Sequence, residues 1–132
     1  SCGSIPELGI KGLDPKTTVM INVGGKDLPF RGWMKLYNGH PKDGGNYIET
    51  SDADNIAKSI KNISENLKNV TDIVIDDAQY IMAFEFMRRA KEAGYGKFAD
   101  LGVNIAKVLE AARNTRKDLK VYFLYELKKE EF

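Results

Sequence analysis

Three short runs rich in β-branched residues constrain the fold of this chain more than any other feature. They are Thr17-Thr18-Val19-Met20-Ile21-Asn22-Val23, Val70-Thr71-Asp72-Ile73-Val74-Ile75-Asp76-Asp77 and Leu119-Lys120-Val121-Tyr122-Phe123-Leu124-Tyr125. The first two are nearly continuous apolar stretches, as strands covered on both faces tend to be. Helical periodicity fills most of the sequence between the runs. Strands alternating with helices predict an α/β fold: a mostly parallel sheet flanked by helices, with right-handed crossovers.

The intervening segments can be read in more detail. Residues 24–46 show neither helical nor strand periodicity and are glycine-rich, so they read as one long loop; loops beyond ~12–15 residues are uncommon and are often functional. Tyr47-Ile48-Glu49-Thr50 reads as a short extended piece. Ser51 is the expected helix start, with Asp54 three residues on as a capping-box acid. Ile56, Ile60, Ile63 and Leu67 form the buried stripe of that helix. Residues 78–93 read as a second helix, stopped by Gly94. Residues 97–118 read as a third, with Phe98, Leu101, Ile105, Val108, Leu109 and Ala112 on one face. Near its end Arg113, Arg116 and Lys117 complement the helix dipole.

Composition excludes several function classes. A chain of 132 residues is the size of one domain, spanning 1–132. Its 20 basic and 19 acidic side chains leave a formal net charge of +1, so overall charge argues for neither nucleic acid nor membrane. No apolar run approaches the ~20 residues of a transmembrane helix, and no membrane partner is expected. Cys2 is the single cysteine. That excludes an intrachain disulfide or a cysteine metal cluster and points to the cytoplasm. The first residue is Ser1, so residues 1–12 read as a tag or a degenerate region.

Two acids at the end of the second run are the main chemical signal. A buried strand ending in Asp76-Asp77 delivers carboxylates to the edge of a sheet, where they can bind a metal or simply mark the strand's exit from the core. Phe30-Arg31-Gly32-Trp33 suits base stacking with phosphate contact, or equally a loop pinned to the core by Phe30 and Trp33. Arg88 and Arg89 read as an arginine finger, a DNA contact or a solvated helix face. His40 has no acid or nucleophile near it in sequence and reads as a surface residue. No G-x-x-x-x-G-K-[ST] phosphate loop occurs anywhere in the chain.

The run from Ile73 through Asp76-Asp77-Ala78-Gln79-Tyr80, followed by Glu85-Phe86-Met87-Arg88-Arg89-Ala90-Lys91, resembles RecA-like P-loop ATPases carried by bacteriophages. The similarity extends back through Gly12-Leu13-Asp14-Pro15 and Leu28-Pro29-Phe30-Arg31-Gly32-Trp33. It extends forward through Gly94-Tyr95, Lys97-Phe98 and Asn104, covering about residues 11 to 125. The resemblance implies a partial RecA-like P-loop core, with Asp76 as the Mg²⁺-associated Walker B aspartate and Asp77 as the acid that orients the attacking water. It also implies ATP and Mg²⁺ as cofactors, oligomers, single-stranded DNA as a partner, and a role in phage DNA recombination or replication. In the register it implies, Pro6 stands in place of the phosphate-binding lysine and Glu7 in place of the Mg²⁺-binding hydroxyl. A proline removes an N–H from a cradle built of N–H groups, and a glutamate repels phosphate.

Weak or absent hydrolysis is therefore expected of this form. The RecA-like strand order 5-1-4-3-2 would make the three runs one contiguous block, with residues 119–125 as an open edge. Such an edge invites self-association or strand addition by another protein, phage or host. The alternative function is accordingly a non-enzymatic interaction protein derived from a shortened ATPase domain, acting through that edge or through residues 24–46.

Overall fold

The computed structural model describes residues 12–26, 28, 32–88 and 96–125, with side chains omitted for 96–101. Its sheet has four parallel strands: β1 (Thr18–Asn22), β2 (Tyr47–Glu49), β3 (Asp72–Asp76) and β4 (Lys120–Phe123), in the spatial order β2-β1-β3-β4. The α/β class and parallel sheet read from the sequence are thus present. The three long runs lie side by side as β1-β3-β4, and the short 47–49 piece is a fourth strand outside β1. Within residues 24–46 the structure has a short helix, α1 (Trp33–Leu36), and a 3₁₀ turn over Pro41–Asp43. Three longer helices follow: α2 (Ala53–Asn66), α3 (Tyr80–Arg88) and α4 (Gly96–Arg113).

The apolar runs are continuous because the central strands are covered on both faces. Val19, Ile21, Val23, Ile48, Ile73 and Ile75 turn one way, onto Ile56, Ile60 and Ile63 of α2, Ile81 of α3 and Val108 of α4. Met20 and Val74 turn the other way, onto Leu28 and Tyr37 of the 24–46 segment, with Trp33, Tyr47 and Leu124 packed around them. Every residue of β1 is buried. β4 alternates exposed and half-buried residues, as an edge strand does.

Local chemistry moves several element ends. Asp52, not Ser51, caps α2: its carboxylate accepts from the Asp54 N–H at 3.0 Å. Asp54 is instead paired with Lys58 one turn on, at 3.0 Å. α3 begins at Tyr80, because Ala78 is held by its N–H to the Leu124 carbonyl at 2.9 Å. α4 stops at Arg113, and Arg116 beyond it turns away to another helix. The Arg116 guanidinium donates to the carbonyls of Ile63, Ser64, Lys68 and Val70, around the end of α2. It therefore serves the C-terminus of α2 and not that of its own helix. The expectations for Phe98, Leu101 and residues 89–94 lie outside the described part. Among the described residues, no helix is long and apolar enough to cross a membrane.

The connection from β1 to β2 runs over the Met20–Val74 face, while α2, α3 and α4 all lie on the opposite face. This follows from handedness. The chain moves outward from β1 to β2 and then back across β1 to β3, so right-handed connections must use opposite faces. The connections leaving neighbouring strands β1 and β3 therefore diverge. In open α/β sheets ligands bind outside the carboxyl ends of the strands at such a divergence.

Candidate functional site at the carboxyl edge

Asp76 ends β3 directly opposite Asn22, the last residue of β1, and its carbonyl accepts from the Val23 N–H at 3.1 Å. Asp76 and Asp77 are only 8% and 7% exposed. Asp77 leaves the strand in the left-handed region, with φ of 57°, a conformation that aspartate tolerates far better than the β-branched residues before it. Its carbonyl then accepts from the Tyr80 N–H at 3.0 Å, which opens α3.

The Asp77 carboxylate lies against the main chain of Gly24, just beyond β1. A Cβ on Gly24 would stand 2.6 Å from Asp77 Oδ2 and 3.2 Å from its Cβ and Cγ. A glycine is therefore required there for the acid to keep its place. Gly25 follows with φ of 70° and turns the chain back, so that its N–H donates to Asn22 Oδ1 at 3.1 Å.

Asn22 is the hub of this edge. Fully buried, it donates from Nδ2 to the Lys26 carbonyl at 2.5 Å and to the Tyr47 hydroxyl at 3.0 Å. The Tyr47 hydroxyl in turn donates to Glu49 Oε1 at 3.2 Å. Burial pushes the Tyr47 phenol above its ordinary value; the Asn22 hydrogen bond opposes this, and the nearby Glu49 and Asp76 carboxylates add to it. Asp76 and Glu49 thus act on one hydroxyl from two strands. Lys26 Nζ lies 3.3 Å from the Tyr80 hydroxyl and 5.3 Å from the centre of its ring, which brings a cation to the same edge.

Asn22, Gly24, Lys26, Tyr47 and Glu49 were not singled out as site residues in the sequence. The available signal was Asn22 followed by Gly24-Gly25 at the end of a buried strand, which reads as a strand stop. Their convergence depends on β2 pairing with β1, a long-range contact with no local signature.

The other candidates fall elsewhere or outside the described residues. Arg31 and Arg89 are outside. Trp33 is half-buried and packs on Tyr47, with ring centroids 5.3 Å apart, on the loop face of the sheet. Arg88 pairs with the buried Glu85 at 2.6 Å and donates to the Ser51 carbonyl at 3.0 Å. Glu85 also accepts from the Ala53 N–H at 3.3 Å and from Asn104 Nδ2 at 3.2 Å, so this cluster ties α2, α3 and α4 together. Burial would raise the Glu85 carboxyl. The Arg88 hydrogen bond and charge, the Ala53 N–H and the Asn104 amide outweigh it and hold the group below its ordinary value. His40 caps the 3₁₀ turn, its Nδ1 accepting from the Lys42 N–H at 3.1 Å.

The edge thus gathers two buried carboxylates, a third on β2, a hydroxyl, an amide and an ammonium around the divergence of β1 and β3. Such a set suits a polar ligand carrying its own charge. No protein-family model, curated protein or solved structure matches this chain.

Proposed function

We propose that this domain derives from RecA-like P-loop ATPases of the bacteriophage type that act in DNA recombination or replication. Its carboxyl edge is then a Mg²⁺-nucleotide site that is weak or inactive in hydrolysis. One observation supports the reading above the rest: Asp76 and Asp77 lie buried at the end of a central strand, beside the strand whose connection leaves by the opposite face. The resemblance places the acids of a nucleotide site at this position.

The donor set fits Mg²⁺ held largely by water and phosphate. No group of three or more His, Cys, Asp or Glu positioned for a metal occurs among the described residues. Mg²⁺ commonly takes only one or two carboxylates and keeps several waters. Asp76 would hold the ion, and the ion would neutralise charge on the terminal phosphates. Asp77, fixed against Gly24, would orient a water. Weak hydrolysis follows from the sequence, which contains no G-x-x-x-x-G-K-[ST] and so supplies no lysine in a phosphate cradle.

Titration of a fluorescent ATP analogue, read by anisotropy, tests this. Saturable binding near about 10 µM that needs Mg²⁺ and disappears in Asp76→Ala is the expected result. No binding at millimolar analogue would sink the proposal. A second reading, a non-enzymatic interaction protein, is favoured by the half-exposed edge strand β4.

A further inference from the structure

We infer that β4 is the interface of a two-fold homodimer, in which two copies join edge to edge into one continuous sheet. This inference is independent of the nucleotide reading. The Lys120 N–H donates to the Thr71 carbonyl and the Leu124 N–H to the Ile75 carbonyl, each at 2.9 Å, so the even-numbered residues of β4 face β3. Strand alternation then turns the N–H and C=O groups of Val121 and Phe123 outward, where no described strand meets them. Unpaired edges of this kind template further pairing.

An apolar groove of about 240 Å³ adjoins this edge, lined among others by Met82, Leu109, Phe123 and Tyr125. Met82, Leu109 and Tyr125 are 56%, 52% and 59% exposed, and Tyr122 on the strand itself is 38% exposed. At roughly 100 Å² each, these four side chains offer about 400 Å² per copy. The strand backbone and its flanks add to that, towards the ~800 Å² per partner of a standard interface.

The second copy is favoured as occupant because the strand matches itself. A two-fold axis at Tyr122 sets Val121 of one copy opposite Phe123 of the other, twice. Each such pair has its N–H and C=O groups aimed at one another, and narrow antiparallel pairs exchange bonds in both directions. Lys120 then faces Leu124, and Tyr122 faces its own copy. The charged residue of the strand therefore meets an apolar side chain, and no like charges oppose one another across the seam.

Sedimentation velocity across a dilution series tests the assignment and its register. The wild-type chain should be dimeric at about 100 µM. Tyr122→Glu and Tyr122→Lys each set like charges opposite one another and should raise the dimer dissociation constant about tenfold or more. An equimolar mixture of the two variants should restore the dimer, because glutamate then faces lysine. Far-ultraviolet circular dichroism matching the wild type confirms that the variants are folded. A wild-type chain that stays monomeric at this concentration overturns the proposal and leaves the edge to a strand of another protein. Variants that dimerise as tightly as the wild type, or a mixture that stays monomeric, overturn it equally.

Discussion

Arg116 gives the sharpest test of how this fold is held together. Sequence position makes it a cation near the end of α4, a role ordinarily worth a few tenths of a kcal/mol to about 1 kcal/mol. The structure gives it a different role. The guanidinium donates to Ile63 at 3.2 Å, Ser64 at 3.0 Å, Lys68 at 3.3 Å and also to Val70, and its side chain is 15% exposed. The Ile63 carbonyl also accepts from the Leu67 N–H, and the Ser64 carbonyl from Lys68 Nζ. Losing Arg116 would therefore cost about 0.5 kcal/mol at each of these two. The Lys68 and Val70 carbonyls lie where the chain enters β3, and losing the guanidinium there costs about 1–1.5 kcal/mol apiece. The Asp118 pair, whose carboxylate is 67% exposed, adds almost nothing.

Arg116→Ala should thus destabilise by about 3 kcal/mol in urea unfolding, lowering the melting temperature by roughly 10 °C at this chain length. Arg116→Lys keeps the charge but loses the fork, and should recover less than half of that. A loss below about 1 kcal/mol for Arg116→Ala would show that the residue serves only the dipole of its own helix, and would refute the reasoning.

Four further outcomes follow from the geometry. Glu85 is held below its ordinary value of 4.5 when folded, so its stabilising contribution is present above that pH and is lost as pH falls through the lower folded value. Glu85→Gln should flatten the acid limb of a stability–pH profile measured by urea unfolding. Asp52→Ala should cost about 1 kcal/mol and Ser51→Ala only a few tenths, measured in the same way. Gly24→Ala should cost about 1–2 kcal/mol, and nearly all of it should vanish in an Asp77→Gly background, where the clashing carboxylate is absent. Asp76→Asn should abolish Mg²⁺-dependent binding of the ATP analogue while the far-ultraviolet circular dichroism still matches that of the wild type, with its stability measured by urea unfolding.

The sequence revealed most where burial alone decides structure. β1 and β3 could be read because covered parallel strands need continuous apolar side chains, and the α2 stripe because Ile56, Ile60 and Ile63 fall at helical spacing. β2 could not be recognised as a strand of the sheet, because three residues carry little periodicity and only pairing with Met20, Ile21 and Asn22 makes them one. α4 ends five residues before the reading from its pattern because the Arg116 N–H donates to Ser64 Oγ at 2.9 Å. That is a tertiary bond with no local trace. The 24–46 segment is similarly fixed by Asn46, whose side chain accepts from the Asn38 N–H and donates to the Pro15 and Leu36 carbonyls. Of the site, the two acids were visible in the sequence and their surroundings were not.

The two acids do not carry equal information about function. Asp77 occupies a left-handed turn that lets the chain leave β3 for α3. Aspartate, asparagine and glycine are the residues that such a turn favours for conformational reasons alone. A chain with no ligand at all would keep one of them there. Asp76 is in a different position. It occupies the last residue of an extended, buried strand whose other interior positions are Ile73, Val74 and Ile75. Strand propensity favours a β-branched residue at such a site. Backbone conformation accounts for an aspartate at Asp77, whereas conformation alone does not select one at Asp76; in the proposed function Asp76 would hold a cation bound with phosphate at the divergence of β1 and β3. The stability and binding of Asp76→Asn, measured side by side, therefore discriminate between a nucleotide site and an inherited turn, and the same measurements on Asp77 would not.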